Sequence, residues 1–220
     1  MAAKLALFDC DGTLVDSQAN ICMAMEHAFE SASLAPPPRS DIRRIVGLSV
    51  FEAVSHLLPD ADEAKRRQLG EGYKQAFFDL RGQGLVEEPL FDGMKEMLIE
   101  LHSDGWLLGV ATGKSDRGLN KCLDHHNIID KFVTLQTADR HPSKPHPSMV
   151  FEAMEDAGCD AESTIMIGDT TYDIEMGRAA GCKTVAVAWG YHTVGEMQSV
   201  GANAVAETMA ELKVILGEEV

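Results

Sequence analysis

The chain has 220 residues, with 19 Lys and Arg against 35 Asp and Glu, for a formal charge of −16. Apolar residues make up 45% and charged residues 25%, the balance of a globular protein long enough to bury a large core. Such acidity argues against nucleic acid or an anionic membrane as a partner, and any phosphate ligand must be captured locally, by a metal and a few placed cations.

Residues 5–8 read as a short buried strand that ends in Asp9-Cys10-Asp11-Gly12-Thr13. In extended backbone the side chains at i and i+2 share a side, so Asp9 and Asp11 face one small volume. Two carboxylates there repel unless a cation or a shared proton is present. Gly12 permits the sharp turn that follows, and Cys10, on the opposite side, reads as small core filler. Residues 16–85 then read as helical over 18–31, 39–58, 61–69 and 71–80. Pro36-Pro37-Pro38 separates the first two helices and Gly82-Gln83-Gly84 marks a flexible exit. This stretch is nearly neutral, with eight basic and ten acidic side chains; the remainder carries 11 and 25.

Beyond residue 86 helices and strands alternate. Helix 93–103 leads to strand 106–112, helix 117–125 to strand 132–136, helix 147–157 to strand 164–168, and helix 173–180 to strand 184–188; a helix over 208–216 ends the series. Repeated βα units imply an α/β fold, a doubly wound parallel sheet with right-handed connections and helices on both faces. The expected division is a core of 1–15 and 86–220 and an inserted helical domain of 16–85.

Three further stretches place polar groups at strand ends or in strand–helix loops. Strand 106–112 ends in Thr112, followed by Gly113 and Lys114; a hydroxyl and the backbone N–H groups after it suit phosphoryl oxygens. Gly109 to Lys114 also imitates a nucleotide-binding P-loop, but three residues separate its glycines instead of four. Lys144, in Ser143-Lys144-Pro145-His146-Pro147, loses less freedom on ordering because of its prolines, and Pro147 starts the next helix. Strand 164–168 ends in Gly168-Asp169, and Asp173 falls in the first turn of the next helix, where the dipole favours an acid.

Asp9-x-Asp11-Gly12-Thr13, Thr112, Lys144-Pro145-x-Pro147 and Gly168-Asp169-x-x-x-Asp173 resemble, in order, the four motifs of the haloacid dehalogenase-like hydrolases, most nearly the phosphoglycolate phosphatase-like members with a helical cap. The position of the insert matches that of the cap. The resemblance implies a Mg2+-dependent phosphatase acting on a small phosphorylated metabolite through an aspartyl-phosphate. Asp9 is then the nucleophile and Asp11 the general acid and base. Thr112, Gly113 and Lys144 hold the phosphoryl group. Mg2+ takes Asp9, Asp169 and the backbone carbonyl of Asp11, with Asp173 in support. An acid at position 11 suits phosphate esters better than halides. Gly113 departs from the Asn that such relatives often carry. Segment 42–49 resembles their cap segment, which makes Arg43 and Arg44 candidates for holding substrate. Two other readings stand beside this one: a sugar phosphomutase of the same fold, and a receiver-like module that holds phospho-Asp without turnover.

The remaining features read plainly. Five cysteines without Cys-x-x-Cys spacing argue against a zinc site or disulfides and suit free thiols in the cytoplasm. No apolar run approaches a membrane span, and the first one stops at Asp9, too soon for a signal-peptide core. His125, His126, His141 and His146 read as solvated or loop-packing side chains, and the 11 methionines as core filler.

Overall fold

A computed structural model describes residues 3–218. Its strands are Lys4–Phe8 (β1), Trp106–Thr112 (β2), Phe132–Thr137 (β3), Thr164–Gly168 (β4), Lys183–Val187 (β5) and Ala204–Ala206 (β6). All pair in parallel, in the order β3-β2-β1-β4-β5-β6. The order reverses at β1, which lies between β2 and β4. In such sheets the crevice beyond the strand ends at that point is the ligand site.

The strand period of two distributes β1 over two cores. Leu5 and Leu7 pack with Met149, Val150 and Met176, from helices Ser148–Ala157 (α7) and Thr171–Ala179 (α8). Ala6 and Phe8 pack with Met94, Leu98, Leu119 and Leu212, from helices Met94–Ser103 (α5), Asp116–His125 (α6) and Met209–Glu218 (α10). The sheet is therefore covered on both faces, as its βα alternation predicts. Each fully buried Leu or Phe contributes about 1.5–3 kcal/mol, enough to fix which face of the sheet each β1 side chain meets.

The insert has a core of its own. Helices Gln18–Ser31 (α1), Arg39–Arg44 (α2), Val50–Leu57 (α3) and Glu63–Gly82 (α4) bury Ile21, Met25, Phe29, Ile42, Val54 and Leu69 together. Two expectations are corrected here. The helix expected over 39–58 is two, because Gly47 has φ +97° and the Ser49 side chain accepts from Glu52 N to start α3. The two helices expected over 61–80 are one, because Leu69, Gly70 and Ala76 are buried along a continuous packed face. That burial outweighs the roughly 1 kcal/mol a helical glycine costs. Helix Val194–Ser199 (α9) and β6 were not expected from the sequence. Among the described residues no helix is long and apolar enough to cross a membrane.

Candidate active site

Asp9 extends β1 by one residue, its N–H donating to Ile167 O at 2.9 Å. Asp169 follows β4 directly and Thr112 is the last residue of β2. The parallel register of β2, β1 and β4 thus brings these groups to one end of the sheet. Lys144 enters from the loop between β3 and α7, and Asp173 from the first turn of α8. Asp9, Asp169, Asp173 and Lys144 are all buried.

The contacts are specific. Lys144 Nζ lies 2.8 Å from Asp9 Oδ1 and 2.6 Å from Asp173 Oδ1. Asp173 Oδ2 accepts from Thr170 N at 3.0 Å and from Thr170 Oγ1 at 2.7 Å. Asp169 Oδ1 accepts from Thr13 Oγ1 at 2.8 Å, and its Oδ2 from Tyr191 N at 2.9 Å. Asp9 Oδ1 has the Lys144 ammonium as its partner, and Asp9 Oδ2 has none among the described residues. Gly12 closes the site: at φ +85°, a Cβ there would fall 2.3 Å from Asp169 Oδ2 and 2.4 Å from the Tyr191 ring.

Burial pushes the Asp9 carboxyl up to about 7, against the pull of Lys144. Burial, with the Asp173 and Asp9 carboxylates, raises Asp169 well above the usual range. Burial alone would lower Lys144; Asp173 and Asp9 reverse this and hold it protonated above its ordinary value. Three carboxylates thus offer ligand atoms that lie within 4.8 Å of one another, with one ammonium between two of them. An all-oxygen donor set, including the buried and unpartnered Asp9 Oδ2, fits a hard divalent cation such as Mg2+.

Asp11 is separated from this cluster by its contacts. Lys114 Nζ is 2.8 Å from Asp11 Oδ1 and 2.7 Å from Glu88 Oε1. Ser17 Oγ also donates to Asp11 Oδ1, and Arg81 pairs with the other Glu88 oxygen. Asp11, Gly113 and Lys114 line a cavity of about 860 Å³, which the insert closes with Leu48, Tyr73 and Phe77. Thr112 is buried, and its Oγ1 accepts from Lys114 N at 3.2 Å.

Asp9, Asp11, Thr112, Gly113, Lys144, Asp169 and Asp173 therefore gather at this end of the sheet. Arg43 and Arg44 do not: Arg44 Nη2 pairs with Glu196 at 2.7 Å on the exposed surface, and neither arginine lines the cavity. The sequence reading missed Lys114, Glu88, Ser17 and Tyr191. Lys114 had a signal, since it stands two residues after Thr112, but there it counted only toward the P-loop that failed. Glu88 and Tyr191 lie in loops without pattern, and only the fold brings them in.

The family profile described as haloacid dehalogenase-like hydrolase matches residues 6–187. The chain is 34% identical over 212 residues to "Probable phosphatase IndB" of Dickeya dadantii, covering 94% of this chain and 91% of that one. It is 29% identical to a phosphoglycolate phosphatase of Vibrio parahaemolyticus, covering 95% and 94%. A crystal structure of a predicted phosphatase from Clostridium acetobutylicum superposes with a TM-score of 0.89 at 24% identity, covering 99% and 100%.

Proposed function

The chain belongs to the haloacid dehalogenase-like hydrolases, and from that premise we propose that it is a Mg2+-dependent phosphatase. It hydrolyses a small phosphomonoester through an aspartyl-phosphate, as a phosphoglycolate phosphatase-like enzyme of the cytoplasm. The observation that carries this reading is the Asp9 carboxylate, fully buried, with Oδ1 on Lys144, Oδ2 unpartnered among the described residues, and both Asp169 and Asp173 close enough to share one metal ion. A fold does not keep such a group for stability alone.

Asp9 attacks phosphorus in line and carries the phosphoryl group. Lys144 orients Asp9 and neutralises a phosphoryl oxygen. Thr112 Oγ1 and the backbone N–H groups after it hold the other oxygens, where most of the catalysis in phosphoryl transfer arises. Asp11 gives its proton to the leaving alcohol, then takes one from the water that cleaves the acyl phosphate. Asp9, Asp169 and the Asp11 carbonyl would hold Mg2+, with Asp173 in support. When bound, the ion neutralises charge among these carboxylates and the phosphate. Residues 16–85 act as a cap that encloses the alcohol and excludes bulk water. Five unbridged cysteines suit a reducing compartment.

Asp9→Asn tests this directly. Phosphate release from any substrate should fall by roughly 10⁴-fold. A phosphate label on wild-type protein that survives acid and leaves with hydroxylamine should be missing in the variant. Near-normal turnover in Asp9→Asn would refute the nucleophile assignment.

A further inference from the structure

The cavity beside Asp11 says more about the alcohol than the motifs do. At about 860 Å³ it lies in the upper part of the roughly 300–1,000 Å³ range of pockets that enclose drug-sized ligands. A two-carbon acid would fill a small part of it. The deeper part of its insert side is apolar, where Ile21, Met25, Leu48, Tyr73 and Phe77 line it and belong to or pack against the insert core; charged side chains of Glu63–Gly82 line the rest. Phe51 and Phe78 also line it and keep 39% and 45% of their surface exposed. Part-exposed aromatic side chains in a half-open cleft, Phe51 and the parts of Phe78 that Arg117 and Lys121 leave uncovered, are a surface that a ligand can cover.

Its cations are already engaged. Lys114 and Arg81, the two mostly buried ones, both hold Glu88, and Lys114 also holds Asp11. Arg67 and Lys74, at the solvent edge, pair with Glu63 and Glu71 on their own helix. Arg117 and Lys121 stand over the Phe78 ring, 4.4 and 5.6 Å from its centroid. A small carboxylate beside Asp11 would find no buried cation free among the lining residues.

We propose that the substrate is a phosphomonoester of a bulky, uncharged, ring-bearing alcohol, with the ring lodged against Phe51 and Phe78, and not of a two-carbon acid. This rests on the phosphatase reading above. The shared chemistry is a flat ring on a neutral alcohol. The ring sits near the ester in an arylalkyl phosphate and one sugar away in a nucleoside 5′-monophosphate.

The test measures kcat/KM with Mg2+ for ethyl phosphate, phosphoglycolate, 2-phenylethyl phosphate and a nucleoside 5′-monophosphate. All four leave as aliphatic alcohols protonated by Asp11, so leaving-group reactivity does not set the order. At least one ring-bearing ester should exceed both small ones by tenfold or more, chiefly through KM. Phe51→Ala and Phe78→Ala should each lower the ring-bearing to small-ester ratio about three- to tenfold. Equal rates on all four, or preference for phosphoglycolate, would overturn the ring-bearing class and leave the phosphatase reading standing. So would unchanged ratios in both variants. Phosphate release from none of the four, at a wild-type rate no higher than that of Asp9→Asn, would overturn the phosphatase reading itself.

Discussion

Asp9 and Asp169 illustrate what one buried carboxylate does to another. Each is fully enclosed, and each is raised in affinity for protons by burial and further by its acidic neighbours. Lys144 offsets this for Asp9, and its two carboxylate partners are Asp9 and Asp173. Asp169 is held by two hydrogen bonds, from Thr13 and Tyr191, and pairs with no cationic side chain among the described residues. The metal-free fold bears that cost, and a divalent cation bound as proposed would relieve it. Saturating Mg2+, at about 100 times its dissociation constant, should add about 2.7 kcal/mol, or about 5–10 °C in melting temperature. Asp169→Asn should raise the melting temperature of the metal-free protein and abolish the response. Thermal denaturation with and without a chelator reads both effects. An Asp169→Asn variant that still gains the full Mg2+ shift would remove Asp169 from the metal set.

The elements show how segment 44–49 of the insert seats on the core. Ser49 N donates to Ser143 Oγ at 2.8 Å, Tyr172 OH to Arg44 O at 3.2 Å, and His192 Nε2 to the same carbonyl at 3.1 Å. His192 Nδ1 accepts from Thr171 N at 3.1 Å, which assigns the proton to Nε2. Gly113 lies beneath this segment. A Cβ there would stand 2.5 Å from Leu48 O and 2.7 Å from Gly47 O, both backbone atoms that cannot swing aside. The departure from Asn at this position therefore has a physical reason: the insert occupies the space of the side chain. Gly113→Asn should lift the segment from the core, lowering kcat/KM tenfold or more while the melting temperature changes by only a few degrees. A variant with wild-type kcat/KM would show that seating of this segment is not needed for turnover. Elements were legible in the sequence where a long apolar period met a Gly, Pro or Asp boundary, as in β1, β2 and β4. The short Ala204–Ala206 strand has too few β-formers to signal itself. For α9, the Thr193 and Glu196 capping box was present in the sequence without an apolar run to support it. Asp9, Asp169 and Lys144 were readable because each ends a strand or sits between prolines. Lys114 became informative only once the fold put it against Asp11.

At the scale of the molecule, one buried ionic chain joins insert, return segment and core. Arg81, in the last turn of α4, pairs with Glu88, where the chain has just re-entered the core; Glu88 pairs with Lys114, and Lys114 with Asp11. His126 fixes the Glu88 carbonyl from α6's end at 2.6 Å. Glu88 therefore ties the placement of the insert to the placement of the proposed acid and base. Burial would raise the Glu88 carboxyl, yet Lys114 and Arg81 together hold it below its ordinary value of 4.5. A carboxyl lowered in the folded state stabilises the fold above the unfolded value, and that contribution is lost as pH falls through the folded value. Glu88→Gln should cost about 3 kcal/mol at pH 7, the lower end for breaking a buried ion pair, because Lys114 keeps Asp11 as a partner. The gap between wild type and variant should close as pH falls below the ordinary carboxylate range. Urea denaturation of both proteins at neutral and acid pH measures it. A gap that stays constant across that range would mean that Glu88 contributes packing and no charge, and that the insert is held by segment 44–49 without help from the ionic chain.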